Sequence, residues 1–217
     1  MDLPRYIVVE GPIGVGKTTL VERLAARRNA RKLLESFEEN PFLPHFYQDR
    51  PRYAFQTEMF FLLDRYRQQS ELRQQDLFVR HTFADYLFVK TRLFASLTLS
   101  DDELTLYDRV YSLLEVQVPK PDLVIYLHAE VPVLLERIRR RGRAMEAPID
   151  EAYLTALSGV YADYFRDYTE TPLLTVDAGA FDFSRDESAL DRLLQKVAEM
   201  RSPRAYLGGP VFEASWI

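Results

Sequence analysis

The sequence predicts a doubly wound α/β protein with a five-stranded parallel sheet and helices on both faces, and three observations predict it. A short apolar, β-branched run, Tyr6 to Val9, leads into a glycine loop and then a helix reaching Arg28. A second apolar run, Leu123 to Leu127, reads as a strand buried on both faces. Around these two, strands alternate with helices, the pattern of parallel pairing through crossovers.

The elements follow in order. Tyr6 to Val9 is the first strand, and Leu20 to Arg28 continue as a helix after the glycine loop. Arg31 to Ser36 is a second strand carrying Glu35 near its end, and Pro41 forbids its continuation. Phe55, Met59, Leu62, Leu63 and Tyr66 fall at helical spacing in a segment reaching about Gln75. Leu77 to Phe83 reads as a third strand, with Asp85 just past it. Phe88 to Ala95 begins a helix. Asp101, Asp102 and Glu103 open another, through about Gln117, with their charges where the helix dipole favours them. Leu123 to Leu127 is the fourth strand, and Pro132 opens the next helix at a tolerated position. Leu173 to Val176 is the fifth strand and Glu187 to Met200 a terminal helix. From Ser202 the pattern carries neither period, so residues 202–217 are expected to be a tail, mobile or partner-bound. Residues 1–201 form the domain, with a lid at about 137–148.

The glycine loop carries the first chemistry. Gly11 to Thr18 spell G-x-x-x-x-G-K-T between a strand and a helix, the context a phosphate-binding loop requires. Gly11, Gly14 and Gly16 let main-chain N–H groups turn around an anion, and the helix N-terminus adds partial positive charge. Pro12, Ile13, Val15 and Thr19 complete the loop. Lys17 reaches the outer phosphates, and the Thr18 hydroxyl is placed to ligate Mg2+. A chance match is expected in about one chain in a hundred, so nucleoside triphosphate binding is the expectation.

Composition narrows the class. At 217 residues and 47% hydrophobic content the chain is long enough for a sizeable core. A net charge of −5 provides no overall basic field for nucleic acid. Cysteine is absent, which excludes thiolate metal sites and disulfides. No apolar run approaches a membrane span. The expectation is a soluble cytoplasmic enzyme with neither nucleic-acid nor membrane partners. His45, His81 and His128 show no metal-ligand spacing.

The second signal is Arg137 to Arg143, RIRRRGR, followed by Glu146. A solvated basic face is one reading. The other is a lid: Arg137 and Arg141 are one helical turn apart, Arg143 follows the hinge at Gly142, and such an array can neutralise a transferring phosphoryl group. Strand, helix and Arg-rich lid are the plan of small P-loop kinases. A nucleotide switch would want a water-positioning Gln and an N-K-x-D motif, and neither is found.

GPIGVGKTTL, Glu35, ENPFLPHFYQD, YAFQTEMFFLLDRYRQ, ADYLFVKTRLFA, PDLVIYL and RIRRRGRAME follow one another in an order that resembles the deoxynucleoside kinases. The likeness covers nearly all of residues 5 to 185 and is nearest to the bacterial deoxyadenosine/deoxyguanosine kinase branch. It implies ATP and Mg2+ as cofactors, a deoxynucleoside as acceptor, and a homodimer or a heterodimer with a related subunit. It implies Glu35 as general base, Tyr47 and Glu146 on the sugar 3′-hydroxyl, and Arg137, Arg141 and Arg143 as the lid. Asp182 and Phe183, in the loop after Asp177, resemble the segment that stacks on the donor adenine.

Two departures from the family pattern matter. Glu58 stands where a Gln is common, and a carboxylate offers only acceptors, which suit the N1–H and 2-amino donors of guanine. Lys90 stands where many members carry Asp and could donate to guanine O6; Arg65 joins the substrate-binding set. Pairing of Glu58, Lys90 and Arg65 with one another is the bland alternative. Ala84-Asp85-Tyr86 replaces a Glu-Arg-Ser triplet, so Asp85 becomes the expected Mg2+ ligand opposite Thr18. The expected reaction is 5′-phosphorylation of a purine deoxynucleoside, deoxyguanosine ahead of deoxyadenosine or deoxycytidine. A nucleoside monophosphate kinase, which would need a further basic pocket, and a sensing subunit without turnover are the competitors.

Overall fold

A computed structural model describes residues 3–73 and 80–208 of the chain. Six strands form one sheet: β1 (Tyr6–Glu10), β2 (Arg31–Leu33), β3 (Thr82–Ala84), β4 (Leu123–His128), β5 (Leu173–Asp177) and β6 (Arg204–Leu207), in the order β2-β3-β1-β4-β5-β6. Every pairing is parallel. The α/β class and the doubly wound sheet are as expected, but the strand number is six, not five.

The sixth strand corrects the reading of the tail. Arg204–Leu207 pairs with Leu173–Val176 of β5, and Tyr206 is buried. Residues 209–217 of the expected tail lie outside the described residues, as do residues 77–79 of the expected third strand and residues 74–75 at the end of the expected long helix. The second strand stops at Leu33. Beyond it the Glu35 N–H donates to the Asp85 side chain, 2.9 Å, rather than to a neighbouring strand.

Eight helices accompany the sheet among the described residues: α1 (Lys17–Arg28), α2 (Leu43–Phe46), α3 (Arg50–Ser70), α4 (Lys90–Thr98), α5 (Asp101–Glu115), α6 (Val131–Arg141), α7 (Glu151–Arg166) and α8 (Glu187–Glu199). At α5 the cap is Ser100, whose N–H meets Glu103 Oε2 at 2.9 Å in a capping box, and the acidic residues occupy the first turn. Helix α6 ends on Gly142 at φ 68°, the left-handed turn that places Arg143 on a new course. Helix α7 was not among the expected elements. Asp150 caps it, and Tyr153, Leu154, Leu157, Tyr161 and Phe165 bury one helical stripe against the sheet. None of these helices is long and apolar enough to cross a membrane.

Register decides where chemistry can gather. Val8 pairs with Ala84 and with Val124, so the carboxyl ends of β3, β1 and β4 lie on one side of the sheet, each about two residues beyond the last. The glycine loop, Asp85 and the entry to α6 therefore lie along one carboxyl edge, where open α/β sheets bind ligands. Above that edge, Leu62, Phe88, Ala95, Tyr107 and Tyr111 pack α3, α4 and α5 together. Leu43, Phe46 and Ala54 pack α2 on α3.

Arg204 anchors β6 to the end of α7. Its guanidinium donates to the carbonyls of Phe165 at 2.7 Å and of Arg166 and Tyr168 at 3.0 Å, a cation where the helix dipole is negative. Arg204→Ala should cost about 1–2 kcal/mol, lowering Tm by roughly 3–6 °C in thermal denaturation. An unchanged Tm would show that β6 is held by its backbone pairing alone.

Candidate active site

The glycine loop begins directly on β1. Gly11 (φ 150°) passes so close to β4 that a Cβ there would strike the Leu127 carbonyl, and at Gly14 (φ 84°) a Cβ would meet the Leu134 carbonyl at 2.8 Å. Both positions need glycine for backbone shape and for space. Lys17 folds back to donate to the carbonyls of Gly11 (2.6 Å) and Pro12 (3.0 Å). Burial inside the loop, and then the nearby Lys90, pull its ammonium down to about 8.

One cavity joins this loop to the helices above the sheet. Ile13, Gly14, Lys17 and Thr18 of the glycine loop and α1 line it, with Glu35, Asp85 and Lys90, with Tyr47, Glu58 and Arg65, and with Arg141, Arg143 and Glu146 at and beyond the end of α6. Phe37, Phe46, Phe61, Phe94 and Tyr153 provide aromatic walls. Residues drawn from eight separate stretches of sequence thus share one space.

Thr18 and Asp85 meet: the hydroxyl donates to Asp85 Oδ2 at 2.5 Å. A hydroxyl and one carboxylate are the oxygen donors that suit Mg2+, which keeps most of its sphere for phosphate and water. The described residues contain no cluster of three or more His, Cys, Asp or Glu of the kind a protein-only metal cage needs. The three histidines join no such cluster.

Glu35 is held by two cations. Arg65 NH2 donates to its Oε1, and Lys90 Nζ to its Oε2 at 2.5 Å. Burial alone would raise the Glu35 pKa, but Arg65 and Lys90 outweigh burial and hold the carboxyl well below the ordinary range. Lys90, expected at the base, therefore has its ammonium at the general-base candidate. The proposed pairing of Glu58 with Lys90 does not occur; Glu58 has Thr98 as its hydrogen-bond neighbour.

Glu58 is the opposite case. It is 2% exposed, and burial pushes its carboxyl up to about 7. The Thr98 hydroxyl lies 3.2 Å from Glu58 Oε1 and 3.0 Å from the Phe94 carbonyl, and its single hydrogen can serve only one of them. A proton on Glu58 satisfies both. Next to it, Arg65 keeps two buried nitrogens, Nε and NH1, without a protein partner.

In the lid, Arg141 grips Glu146 through Nε (3.1 Å) and NH2 (2.7 Å), and Arg143 NH1 approaches at 3.4 Å while its guanidinium stacks 4.0 Å over Phe37. Arg137 stands outside the cavity lining. Its guanidinium donates to the carbonyls of Val15 (3.0 Å) and Ala178 (2.7 Å), bracing the glycine loop against the segment after β5. In that segment Asp182 accepts from Ser184 N at 2.9 Å, and Phe183 is buried against Phe181.

Sequence reasoning passed over Glu10. It is fully buried, accepting from Gly11 N (2.8 Å), Tyr161 OH (3.0 Å) and Leu87 N (2.6 Å). The available signal was a carboxylate directly following an all-apolar strand. Thr98 carried no signal, since its role depends on facing Glu58 across two helices.

Comparison with known proteins adds the following. The profile of the family described as "Deoxynucleoside kinase" matches residues 7–201. A deoxyguanosine kinase of Bacillus subtilis is 37% identical over 207 residues, 92% of this chain and 99% of that protein. A deoxyadenosine/deoxycytidine kinase of the same organism is 29% identical, over 89% of this chain and 92% of that protein. In fold the chain resembles the M. mycoides deoxyadenosine kinase solved with bound dATP, at a TM-score of 0.79 and 22% identity over 89% of this chain and 99% of that one.

The Glu58 proton has a consequence for stability. Its pKa in the folded protein lies above the unfolded value, so the folded state keeps a proton that the unfolded chain releases. The contribution is full below about pH 4.5 and is lost as pH rises through 7. Glu58→Gln should therefore flatten the fall in Tm of the ligand-free protein between pH 6 and 8, where the Glu58 proton accounts for a loss of about 1.3 kcal/mol. Parallel curves for the two proteins would contradict a neutral Glu58.

Proposed function

The chain belongs to the deoxynucleoside kinase family, and from that premise we propose that it transfers the γ-phosphoryl group of ATP to the 5′-hydroxyl of a purine deoxynucleoside, deoxyguanosine first. The observation that carries this reading is one cavity, lined also by Glu58, in which hydrogen bonds link Thr18 to Asp85, Asp85 to Glu35 and Glu35 to Arg65. A nucleoside with its base at Glu58 and Arg65 would present its 5′-hydroxyl to Glu35 and, beyond it, to the donor phosphates.

In that arrangement Glu35 orients the 5′-hydroxyl and takes its proton as the 5′-oxygen bonds to phosphorus and the bond to the ADP oxygen breaks. Lys17 and the N–H groups of the loop hold the donor phosphates, while Arg141 and Arg143 meet the charge of the group in transfer. Arg137 supports this by fixing the loop through Val15. Mg2+, for which Thr18 and Asp85 supply fitting oxygens, would neutralise donor phosphate charge when bound. Tyr47 and Glu146 border the same space and suit the sugar 3′-hydroxyl. Asp182 and Phe183 remain candidates for the donor adenine.

Guanine is favoured by the pairing of charges at Glu58 and Arg65. Once Glu58 gives up its proton to solvent as the base binds, its carboxylate can accept from N1–H and the 2-amino group, and the two unpartnered nitrogens of Arg65 can donate towards O6 and N7. Adenine lacks the O6 acceptor and the N1 and N2 donors, so it would leave buried groups unpaired. The 37% identical relative, described as a deoxyguanosine kinase, agrees with this preference. A dimer belongs to the same proposal: Leu63 on α3, Leu106 and Leu113 on α5, and Val116 just beyond it are exposed apolar side chains.

Two assays test the reading. Glu35→Gln should lower kcat on the order of 10²–10⁴-fold, and undiminished turnover would remove Glu35 from the role of base. With all four deoxynucleosides compared, Glu58→Gln should weaken deoxyguanosine more than deoxyadenosine; equal losses would take Glu58 out of base selection.

A further inference from the structure

Lys90 occupies a place that a cation seldom takes. It is the first residue of α4 and 5% exposed. A cation there faces the positive end of the helix dipole, and burying an ammonium is costly unless it is paired. Its hydrogen bond goes to Glu35 Oε2, the oxygen not taken by Arg65. The same ammonium is close enough to Lys17 to disfavour that second charge, and both side chains border one cavity with Thr18 and Asp85. Two lysines held near each other in one wall repel unless anions lie between them. Glu35 and Glu10 are carboxyl groups that interact with both lysines, and a phosphoryl group moving from the glycine loop to an alcohol at Glu35 would be a further anion between them.

Building on the kinase reading, we propose that Lys90 is a positioning residue of phosphoryl transfer: it fixes the Glu35 carboxylate for the incoming 5′-hydroxyl and adds positive charge beside the group in transfer, whatever base the nucleoside carries. This assigns Lys90 to the chemistry and leaves base selection to Glu58 and Arg65. Lys90 acts through Glu35, so its loss should appear in turnover and not in the choice of nucleoside.

The test compares wild type, Lys90→Gln and Lys90→Arg with deoxyguanosine and with deoxyadenosine at saturating ATP. Lys90→Gln should lose on the order of 100-fold in kcat, by the same factor for both nucleosides and with a much smaller change in KM. Lys90→Arg should recover most of that loss. A deficit confined to the KM for deoxyguanosine, or an Arg variant no better than the Gln variant, would overturn the proposal. Should Lys90→Gln fail to fold, Lys90→Met takes its place, since an apolar stem of similar length fills the volume beside Phe94. A wild-type protein that phosphorylates neither nucleoside would instead refute the kinase reading itself, and this proposal with it.

Discussion

The site depends on one buried carboxylate. Glu10 ends the central strand and receives hydrogen bonds from the first glycine of the phosphate loop, from the main chain just after β3 and from Tyr161 of α7. Burial raises the pKa of this carboxyl, and the donated hydrogen bonds and the charges of Lys90 and Lys17 work against that rise. A buried carboxylate is tolerated only where donors surround it, so these partners must keep their places. The segment after β3 carries Asp85 and leads into α4 with Lys90. Glu10 thus sets the phosphate loop and the acceptor-side charges in one frame.

Within that frame two carboxylates of one cavity are driven apart. Glu35, between Arg65 and Lys90, is held ionised; Glu58, deeper and beside Thr98, holds its proton near neutral pH. Opposite protonation in neighbouring environments is how a fold separates a base from a hydrogen-bonding group of other purpose. Arg65 acts on both carboxylates, through NH2 to Glu35 and through its charge, which opposes the rise of the Glu58 carboxyl. The lid adds a third region, where Arg141 and Arg143 are already engaged by Glu146. In the proposed transfer a substrate entering there would meet charges organised in advance, which would lower the reorganisation needed at that moment.

Much of this was readable from residue order alone. The glycine loop, Glu35, Asp85 and the Arg-rich helix end are each local: a strand, a turn and a helix start suffice to place them. The carboxyl-edge site follows from parallel β-α alternation, which puts the loops after β1, β2, β3 and β4 side by side. Helix α7 was missed, although the helical spacing of Tyr153, Leu154, Leu157, Tyr161 and Phe165 made it legible. Strand β6 was not legible, because four residues pairing at a sheet edge carry too short a pattern to stand out from a tail.

By itself, then, the sequence determined the fold class, the glycine loop between strand and helix, and the family, because those depend on short-range spacing and on residue type. Only the tertiary structure decided which charges meet. Lys90 and Glu35 are 55 positions apart and Arg65 and Glu35 are 30 apart, so their pairing follows from how α3 and α4 pack above the sheet edge. The protonation of Glu58 was decided in the same way, since burial and the single hydrogen of Thr98 set it and neither can be seen in a linear pattern. Coulomb and desolvation energies depend on distance in space, and that distance exists only once the chain has folded.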